Sequence, residues 1–193
     1  LGLLLVRRDP ARALELLRRY LDRPPVRDPP PVIAAARAAV RHLEAIEALS
    51  QESPPRGAAL DIGTGTGVLA IALAKLGWSD VVAIDIDPDA TEAAAENINR
   101  NGVAAQARVQ LGGPSDIGGR FALVAANLSR PDLLRLRAEI AARCRPGARL
   151  VFSGMLDEHA PEVEAAYLAA GFRLFSRHAS GGWTCLVLEA PRP

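Results

Sequence analysis

The stretch of residues 58–68, AALDIGTGTGV, decides the fold of this chain. Its first five residues are apolar apart from Asp61 and predict a buried strand over Ala58–Ile62. Three glycines at alternate positions follow the strand directly, and helical periodicity begins at Val68. Because glycine has no Cβ, a ligand can approach the backbone closely at such a strand-to-helix turn. The stretch therefore predicts the first unit of a ligand-binding α/β domain.

Outward from this loop, short apolar runs alternate with helical segments along the chain. Further strands are predicted over Val81–Asp85, Arg108–Leu111, Phe121–Ala126, Leu150–Ser153, Phe172–Arg177 and Thr184–Leu188. Helices are predicted over Val68–Leu76, Pro88–Asn101, Pro131–Cys144 and Asp157–Ala170. The last two strands flank a Ser180-Gly181-Gly182 turn and predict an antiparallel hairpin. Strand–helix alternation requires helices on both faces of a parallel sheet, so we expect an α/β fold with a doubly wound, mostly parallel, seven-stranded, Rossmann-like sheet.

Residues 1–56 precede this domain and differ from it in pattern. Two helices are predicted there, from Asp9 to about Arg23 and from Val32 to about Leu49, with proline-rich stretches after each. We expect this N-terminal helical extension to pack on the domain that follows or to form a lid over its pocket. The ligand-binding domain itself is expected over residues 57–193.

Composition and charge argue against several classes of partner. A formal net charge of +1 gives no electrostatic basis for nucleic-acid binding. Apolar runs without charges stay shorter than the roughly 18–20 residues needed to cross a bilayer, so no membrane partner is expected. Cys144 and Cys185 lie far apart and lack the spacing of metal ligands. We therefore expect two buried, reduced thiols, no metal site and a cytoplasmic location.

Three details of the glycine loop discriminate between cofactors. Val68 stands where a dinucleotide-binding fingerprint has a small residue, and no Gly-Lys-Ser/Thr follows, which excludes a P-loop. Asp61 lies just before the first glycine, where a carboxylate would repel a pyrophosphate. The same carboxylate suits the ammonium group of a methionine moiety. The loop therefore predicts S-adenosylmethionine (SAM) as the cofactor and disfavours a NAD-dependent oxidoreductase.

The candidate cofactor-binding residues lie on this loop and at the end of the second strand. They are Asp61, Gly63, Thr64, Gly65, Gly67, Asp85 and Ile86, together with Asn127 further along the chain. Asp85 ends its strand, where a short carboxylate accepts hydrogen bonds from both ribose hydroxyls. Ile86 is placed to pack on the adenine face, whereas Asp87, before Pro88, is better explained as a helix N-cap. The polar contact to the adenine is left open, with Asp116 as a candidate.

Asn127 is the candidate catalytic residue. It follows the predicted strand Phe121–Ala126, and a residue at the carboxyl end of a parallel strand faces the ligand crevice. Its amide oxygen can hold an N–H of an amine substrate and turn the nitrogen lone pair towards the methyl donor. The alternative is that Asn127 caps the helix beginning near Pro131. The three histidines, His42, His159 and His178, lie away from these motifs, so we assign no general base.

Five stretches stand out over roughly residues 57 to 190, which are LDIGTGTGVLAIALAKLG, VVAIDIDPDATEAAAENINRNGV, FALVAANL, RPGARLVFSGMLDEHAPEVEAAYLAAGF and GGWTCLVLEA. Together and in this order they resemble the PrmA family, methyltransferases of a ribosomal stalk protein. The resemblance implies a class I methyltransferase fold and N-methylation of a protein amine, with a ribosomal protein as partner. By the same resemblance, the positions that bind SAM or border the methyl-transfer site are Asp61, Gly63, Gly65, Asp85 and Asn127.

Two other functions stay open at this stage. The N-terminal helices are compatible with a small-molecule methyltransferase in which they form the lid. A catalytically inactive scaffold that binds SAM would carry the same cofactor motifs without turnover. The oligomeric state does not follow from the sequence.

Overall fold

The computed structural model describes residues 44–48 and 57–192 of the chain. The predicted helix from Asp9 to Arg23 and most of the one from Val32 to Leu49 lie outside these residues. Residues 44–48 are helical, as predicted, and Ala45 and Ile46 are 7% and 0% exposed. Both side chains belong to the core on one face of the sheet, so this turn packs on the domain.

One sheet organises the described residues. Its strands are β1 (Ala59–Ile62), β2 (Val81–Asp85), β3 (Ala107–Leu111), β4 (Phe121–Asn127), β5 (Cys144–Leu156), β6 (Arg173–Ser180) and β7 (Trp183–Glu189). The strand order is β3-β2-β1-β4-β5-β7-β6. The first five strands pair in parallel, and β7 is antiparallel to both β5 and β6. The predicted doubly wound, mostly parallel sheet with a C-terminal antiparallel hairpin is confirmed.

Besides the helical residues 44–48 and a 3-10 turn at Pro114–Asp116, five α-helices cover the sheet within the described ranges. They are α1 (Val68–Lys75), α2 (Pro88–Arg100), α3 (Arg130–Arg135), α4 (Arg137–Ala142) and α5 (Ala160–Ala169). The single helix predicted over Pro131–Cys144 is in fact two short ones, because the backbone leaves helical geometry at Leu136. Among the described residues no helix combines the length and the apolar content that crossing a membrane requires.

Strand β5 is longer than predicted. The sequence Arg145-Pro146-Gly147, between the predicted helix Pro131–Cys144 and the predicted strand Leu150–Ser153, is typical of a break, yet it lies inside β5. The register explains the difference, since Phe121 pairs with Cys144 and Leu123 pairs with Arg149. The proline and glycine therefore occupy an irregularity of the ladder, where a missing N–H and a positive φ are tolerated.

Both faces of the central strands β1, β2 and β4 are buried, which explains why these strands are apolar at most positions. Along β1, Ala59 belongs to the core on one face, whereas Leu60 and Ile62 belong to the core on the other. On the second face Tyr167 of α5 lies between two phenylalanines. Its ring centroid is 4.9 Å from that of Phe152 and 5.5 Å from that of Phe172.

The C-terminal hairpin is tied to the rest of the sheet by a buried carboxylate. Glu189 ends β7, and its side chain is 4% exposed. It forms ion pairs with Arg149 of β5, with Arg173 of β6 at 3.0 Å, and with Arg192 at 3.2 Å. Three guanidinium groups thus compensate the burial of one carboxylate and join the last three strands of the sheet.

The Tyr167 hydroxyl provides a test of this packing. It is buried and donates a hydrogen bond of 3.0 Å to the Leu133 carbonyl oxygen. Tyr167→Phe keeps the ring contacts but leaves that carbonyl unpaired, so we expect the free energy of unfolding to fall by about 1–2 kcal/mol. Tyr167→Ala removes the ring as well and should cost about 3–5 kcal/mol. Urea unfolding measures both, and equal losses in the two variants would contradict this account.

Candidate cofactor and active site

The candidate site lies where the strand order reverses. Strand β1 has β2 on one side and β4 on the other, so the connections after β1 and β4 leave towards opposite faces of the sheet. In open parallel sheets the crevice outside the carboxyl ends of the strands at this point is where ligands bind. The predicted residues Asp61, Asp85 and Asn127 lie at the carboxyl ends of β1, β2 and β4.

Asp61 is a fully buried carboxylate that organises the loop after it. Its Oδ2 atom accepts a hydrogen bond of 2.6 Å from the Thr64 hydroxyl and one of 3.1 Å from the Ala70 N–H. Its Oδ1 atom is buried and has no hydrogen-bond partner among the described residues. Burial, opposed by these two hydrogen bonds and assisted by the nearby charge of Asp85, raises the pKa of Asp61 from 3.8 to about 6.

The N–H groups of the glycine loop are used within the protein. Gly63 and Thr64 both donate to the Ile84 carbonyl oxygen, at 2.9 and 3.0 Å. Gly65 donates to Asp85 Oδ2 at 2.9 Å. The loop therefore follows the end of β2 closely and does not turn these three donors towards the crevice.

Each glycine of the loop is required at its position for a different physical reason. All three have positive φ, a conformation that residues with a side chain rarely adopt. A Cβ on Gly65 would meet nothing within 4 Å, so this glycine borders open space. A Cβ on Gly67 would lie 3.2 Å from Ala94 Cα, so this glycine lets α2 pack against the loop. A Cβ on Gly63 would lie 2.5 Å from Leu128 Cδ2, which places the segment after β4 directly over this glycine.

The carboxylates of Asp85 and Asp87 accept hydrogen bonds from different parts of the chain. Asp85 is partly buried, and its Oδ1 accepts the Asp87 N–H at 3.1 Å while Oδ2 accepts the Gly65 N–H. Asp87 is the N-cap of α2, with its Oδ1 accepting the Asp89 N–H at 2.9 Å. The predicted N-cap is confirmed, and Asp85 is left with its carboxylate beside the loop.

Ile86 has an apolar neighbour that the sequence analysis missed. Ile86 is 76% exposed, and Leu111, at the end of β3, is 55% exposed. The two positions are adjacent because Leu111 pairs with Asp85 in the parallel ladder. A Leu-Gly-Gly sequence at a strand end was the available signal for Leu111. The other adenine candidate, Asp116, accepts the Gly113 N–H at 2.7 Å and so closes its own turn.

Asn127 is the last residue of β4 and is partly buried. Its Oδ1 atom accepts a hydrogen bond of 3.2 Å from the hydroxyl of Ser153 on the neighbouring strand. The alternative that Asn127 caps the following helix is wrong, because the N-cap position of α3 is Ser129. Its side chain is therefore available to the crevice and not committed to a helix end.

Histidines and cysteines contribute little to this site. His178 on β6 is exposed and lies 3.0 Å from the Ser176 hydroxyl, and His159 precedes α5 beside Glu158. His42 lies outside the described residues. Cys144 and Cys185 are both buried, as predicted, and no disulfide joins them. Within the part of the chain that the structure describes, no group of His, Cys, Asp and Glu side chains is arranged to hold a metal ion.

The buried carboxylate predicts a pH dependence of stability. The pKa of Asp61 is higher in the folded than in the unfolded chain, so its contribution is fully present below pH 3.8 and is lost as the pH rises through about 6. Relative to Asp61→Asn, which cannot ionise, we expect the free energy of unfolding to fall by about 2 kcal/mol between pH 4 and 7. Urea unfolding without cofactor measures this difference. A difference that stays constant across this range would contradict the raised pKa.

Comparison with known proteins identifies the relatives of this chain. The sequence model of the family described as ribosomal protein L11 methyltransferase (PrmA) matches residues 40–191. A ribosomal protein L11 methyltransferase from Geobacter metallireducens is 40% identical over 148 residues, 77% of this chain and 48% of the relative. One from Ralstonia pickettii is 43% identical over 141 residues, 73% of this chain and 46% of the relative. The chain spans about half the length of the curated relatives it matches.

A solved structure agrees with the sequence matches. The crystal structure of ribosomal protein L11 methylase from Lactobacillus delbrueckii subsp. bulgaricus has a TM-score of 0.75 at 28% identity. The match covers 81% of this chain and 80% of that one. The resemblance that the sequence motifs carry is thereby confirmed, and this chain belongs to the ribosomal protein L11 methyltransferase (PrmA) family.

Proposed function

We propose that this chain is a SAM-dependent methyltransferase that N-methylates a protein amine. The observation that carries the proposal is the bonding of the glycine loop, whose N–H groups at Gly63, Thr64 and Gly65 are donated to protein oxygens. A loop that binds a pyrophosphate presents such groups to the phosphate oxygens instead. The carboxylates of Asp61 and Asp85 beside the loop favour a ligand with ammonium and hydroxyl donors, and SAM has both.

The residues at the carboxyl ends of β1 to β3 fit the parts of SAM. Asp85 has one N–H bond on each oxygen, and each oxygen has capacity for another from a ribose hydroxyl. Ile86 and Leu111 offer exposed apolar surface for the adenine ring. The unpartnered Oδ1 of Asp61 is the acceptor for the ammonium of the methionine part, and at pH 7 a group with a pKa of about 6 is mostly ionised. Gly65 borders the open space that the bound cofactor needs.

Methyl transfer from SAM requires alignment of the reacting groups more than activation of the methyl group. Bound SAM supplies a methyl group that its sulfonium has already activated. The chain therefore has to orient the acceptor nitrogen and exclude water. Asn127 does the orienting, since its amide oxygen accepts an N–H of the acceptor amine at the edge of the sheet where the cofactor residues lie.

The acceptor is proposed from the relatives and from the charge of the residues that follow β5. The relatives from Geobacter metallireducens and Ralstonia pickettii are named for ribosomal protein L11, and we propose an amine of that protein as the acceptor. Asp157 and Glu158 follow β5 at the same edge of the sheet and are exposed. Two carboxylates there favour a cationic acceptor over an anionic one. A cytoplasmic location belongs to the same proposal, supported by two buried cysteines that form no disulfide.

Replacement of Asp85 tests the cofactor site. Asp85→Ala removes two charge-assisted acceptors for the ribose, so we expect at least about a hundredfold weaker binding of SAM by titration calorimetry. Asp80→Ala is the matched control, because Asp80 pairs with Arg108 before β2, at the opposite edge of the sheet. NAD should bind neither variant nor the unchanged chain. Equal SAM affinity in Asp85→Ala and Asp80→Ala would contradict the assignment.

Transfer of a labelled methyl group tests the acceptor. The 193-residue chain is incubated with SAM carrying a tritiated methyl group and with purified ribosomal protein L11, and we expect label on the protein that is lost in Asn127→Ala. SAM binding with label on no protein, but on small amines, would favour the small-molecule methyltransferase. SAM binding without any transfer would favour the inactive scaffold and would overturn the proposed activity.

A further inference from the structure

Two residues of β5 that the proposed function does not use lie directly against Asn127. Ser153 pairs with Asn127 in the parallel ladder, so the two side chains project from the same face of adjacent strands. Ser153 is 1% exposed, and its hydroxyl donates the hydrogen bond of 3.2 Å to Asn127 Oδ1. The terminal torsion of an asparagine side chain is broad when nothing restrains it. The hydrogen bond from the buried Ser153 hydroxyl restrains this torsion in Asn127.

Gly154 shapes the space that the same amide occupies. Its φ is +85°, in the region that favours glycine. A Cβ at this position would lie 2.6 Å from Asn127 Oδ1 and 2.9 Å from the Leu128 carbonyl oxygen. The Leu128 carbonyl is backbone and cannot move without displacing the segment, whereas the Asn127 amide can yield only by rotating out of its present orientation. Any side chain at position 154 therefore competes with the amide for the same volume.

The segment of Asn127 and Leu128 is confined from two sides. On the β1 side, a Cβ on Gly63 would collide with Leu128 Cδ2 at 2.5 Å. On the β5 side, Gly154 leaves the room for the amide oxygen and the Leu128 peptide. Two glycines with positive φ thus leave room on either side of this segment, Gly63 for the Leu128 side chain and Gly154 for the Asn127 amide oxygen and the Leu128 peptide.

We propose that Ser153 and Gly154 are positioning residues for the methyl-transfer step. Ser153 holds the Asn127 amide in one rotation through its hydroxyl, and Gly154 provides the volume in which the amide oxygen sits. The inference rests on the proposed function of Asn127 and adds that its orientation is set from β5. It predicts that changes at either position lower turnover and leave cofactor binding unchanged.

Serine replacements separate a hydrogen-bonding role from a packing role. Ser153→Ala loses both the hydroxyl and its volume, whereas Ser153→Cys keeps the volume and donates only weakly. If the hydrogen bond positions Asn127, both variants lower kcat for methyl transfer to ribosomal protein L11 about tenfold. KM for SAM and the SAM dissociation constant stay within about twofold of the unchanged chain. Ser79→Ala, an exposed serine before β2, is the matched control.

Gly154→Ala tests the volume. The added methyl forces the amide away from its position, so we expect kcat to fall about a hundredfold while the protein still binds SAM. The melting temperature is measured for every variant, because the positive φ at this position also strains the fold. A variant that loses SAM binding together with its folded structure would show a structural role and overturn the inference for Gly154.

A measurement that does not depend on turnover completes the test. The side-chain amide resonances of Asn127, assigned by their loss in Asn127→Ala, are followed in nitrogen-15 spectra of the full chain. We expect them to shift in Ser153→Ala and Ser153→Cys and to stay in place in Ser79→Ala. Unchanged resonances in both Ser153 variants, or wild-type kcat in Ser153→Cys, would overturn the inference. If the chain binds no SAM at all, the proposed function fails, whereas shifted resonances still support the positioning contact.

Discussion

The buried carboxylate of Asp61 is the constraint on which the rest of the site depends. It lies inside the protein near the end of β1 and accepts hydrogen bonds from the Thr64 hydroxyl and the Ala70 N–H. These two bonds connect the loop to the first turn of α1. A carboxylate without water is costly unless its oxygens are bonded, and one oxygen here has no partner among the described residues. The buried Asp61 carboxylate therefore lowers the stability of the fold and places a negative charge beside the crevice.

The crevice has two sides because strand order reverses at β1. Strands β2 and β3 bring Asp85, Ile86 and Leu111 to one side, where their chemistry suits a nucleoside with free hydroxyls. Strands β4 and β5 bring Asn127 and Ser153 to the other side. The loop after β1 lies between them, so in the proposed function a cofactor held by the first side would present its reactive group to the second. This arrangement follows from parallel pairing, which places the carboxyl ends of all five strands at one edge.

Sequence patterns were reliable where a residue type has one physical explanation. The Asp87-Pro88 sequence predicted an N-cap, since an acidic side chain before a first-turn proline has few other uses, and the cap is present. They were less reliable where local signals compete with pairing. Pro146 and Gly147 were interpreted as a break before a strand, but the ladder between β4 and β5 absorbs them as an irregularity. The predicted helix over Pro131–Cys144 is two helices because its backbone changes geometry at Leu136.

The sequence by itself determined the α/β sheet, the glycine loop and the acidic residues beside it. Buried parallel strands must be apolar throughout and positive φ values must be glycine, so both leave a direct record in the residue types. Only the tertiary structure placed Leu111 beside Ile86, and Ser153 and Gly154 against Asn127. It also showed that Gly67 accommodates Ala94 of α2. These contacts join residues distant in the chain, and their geometry is set by the register between strands and by helix packing, which no local pattern encodes.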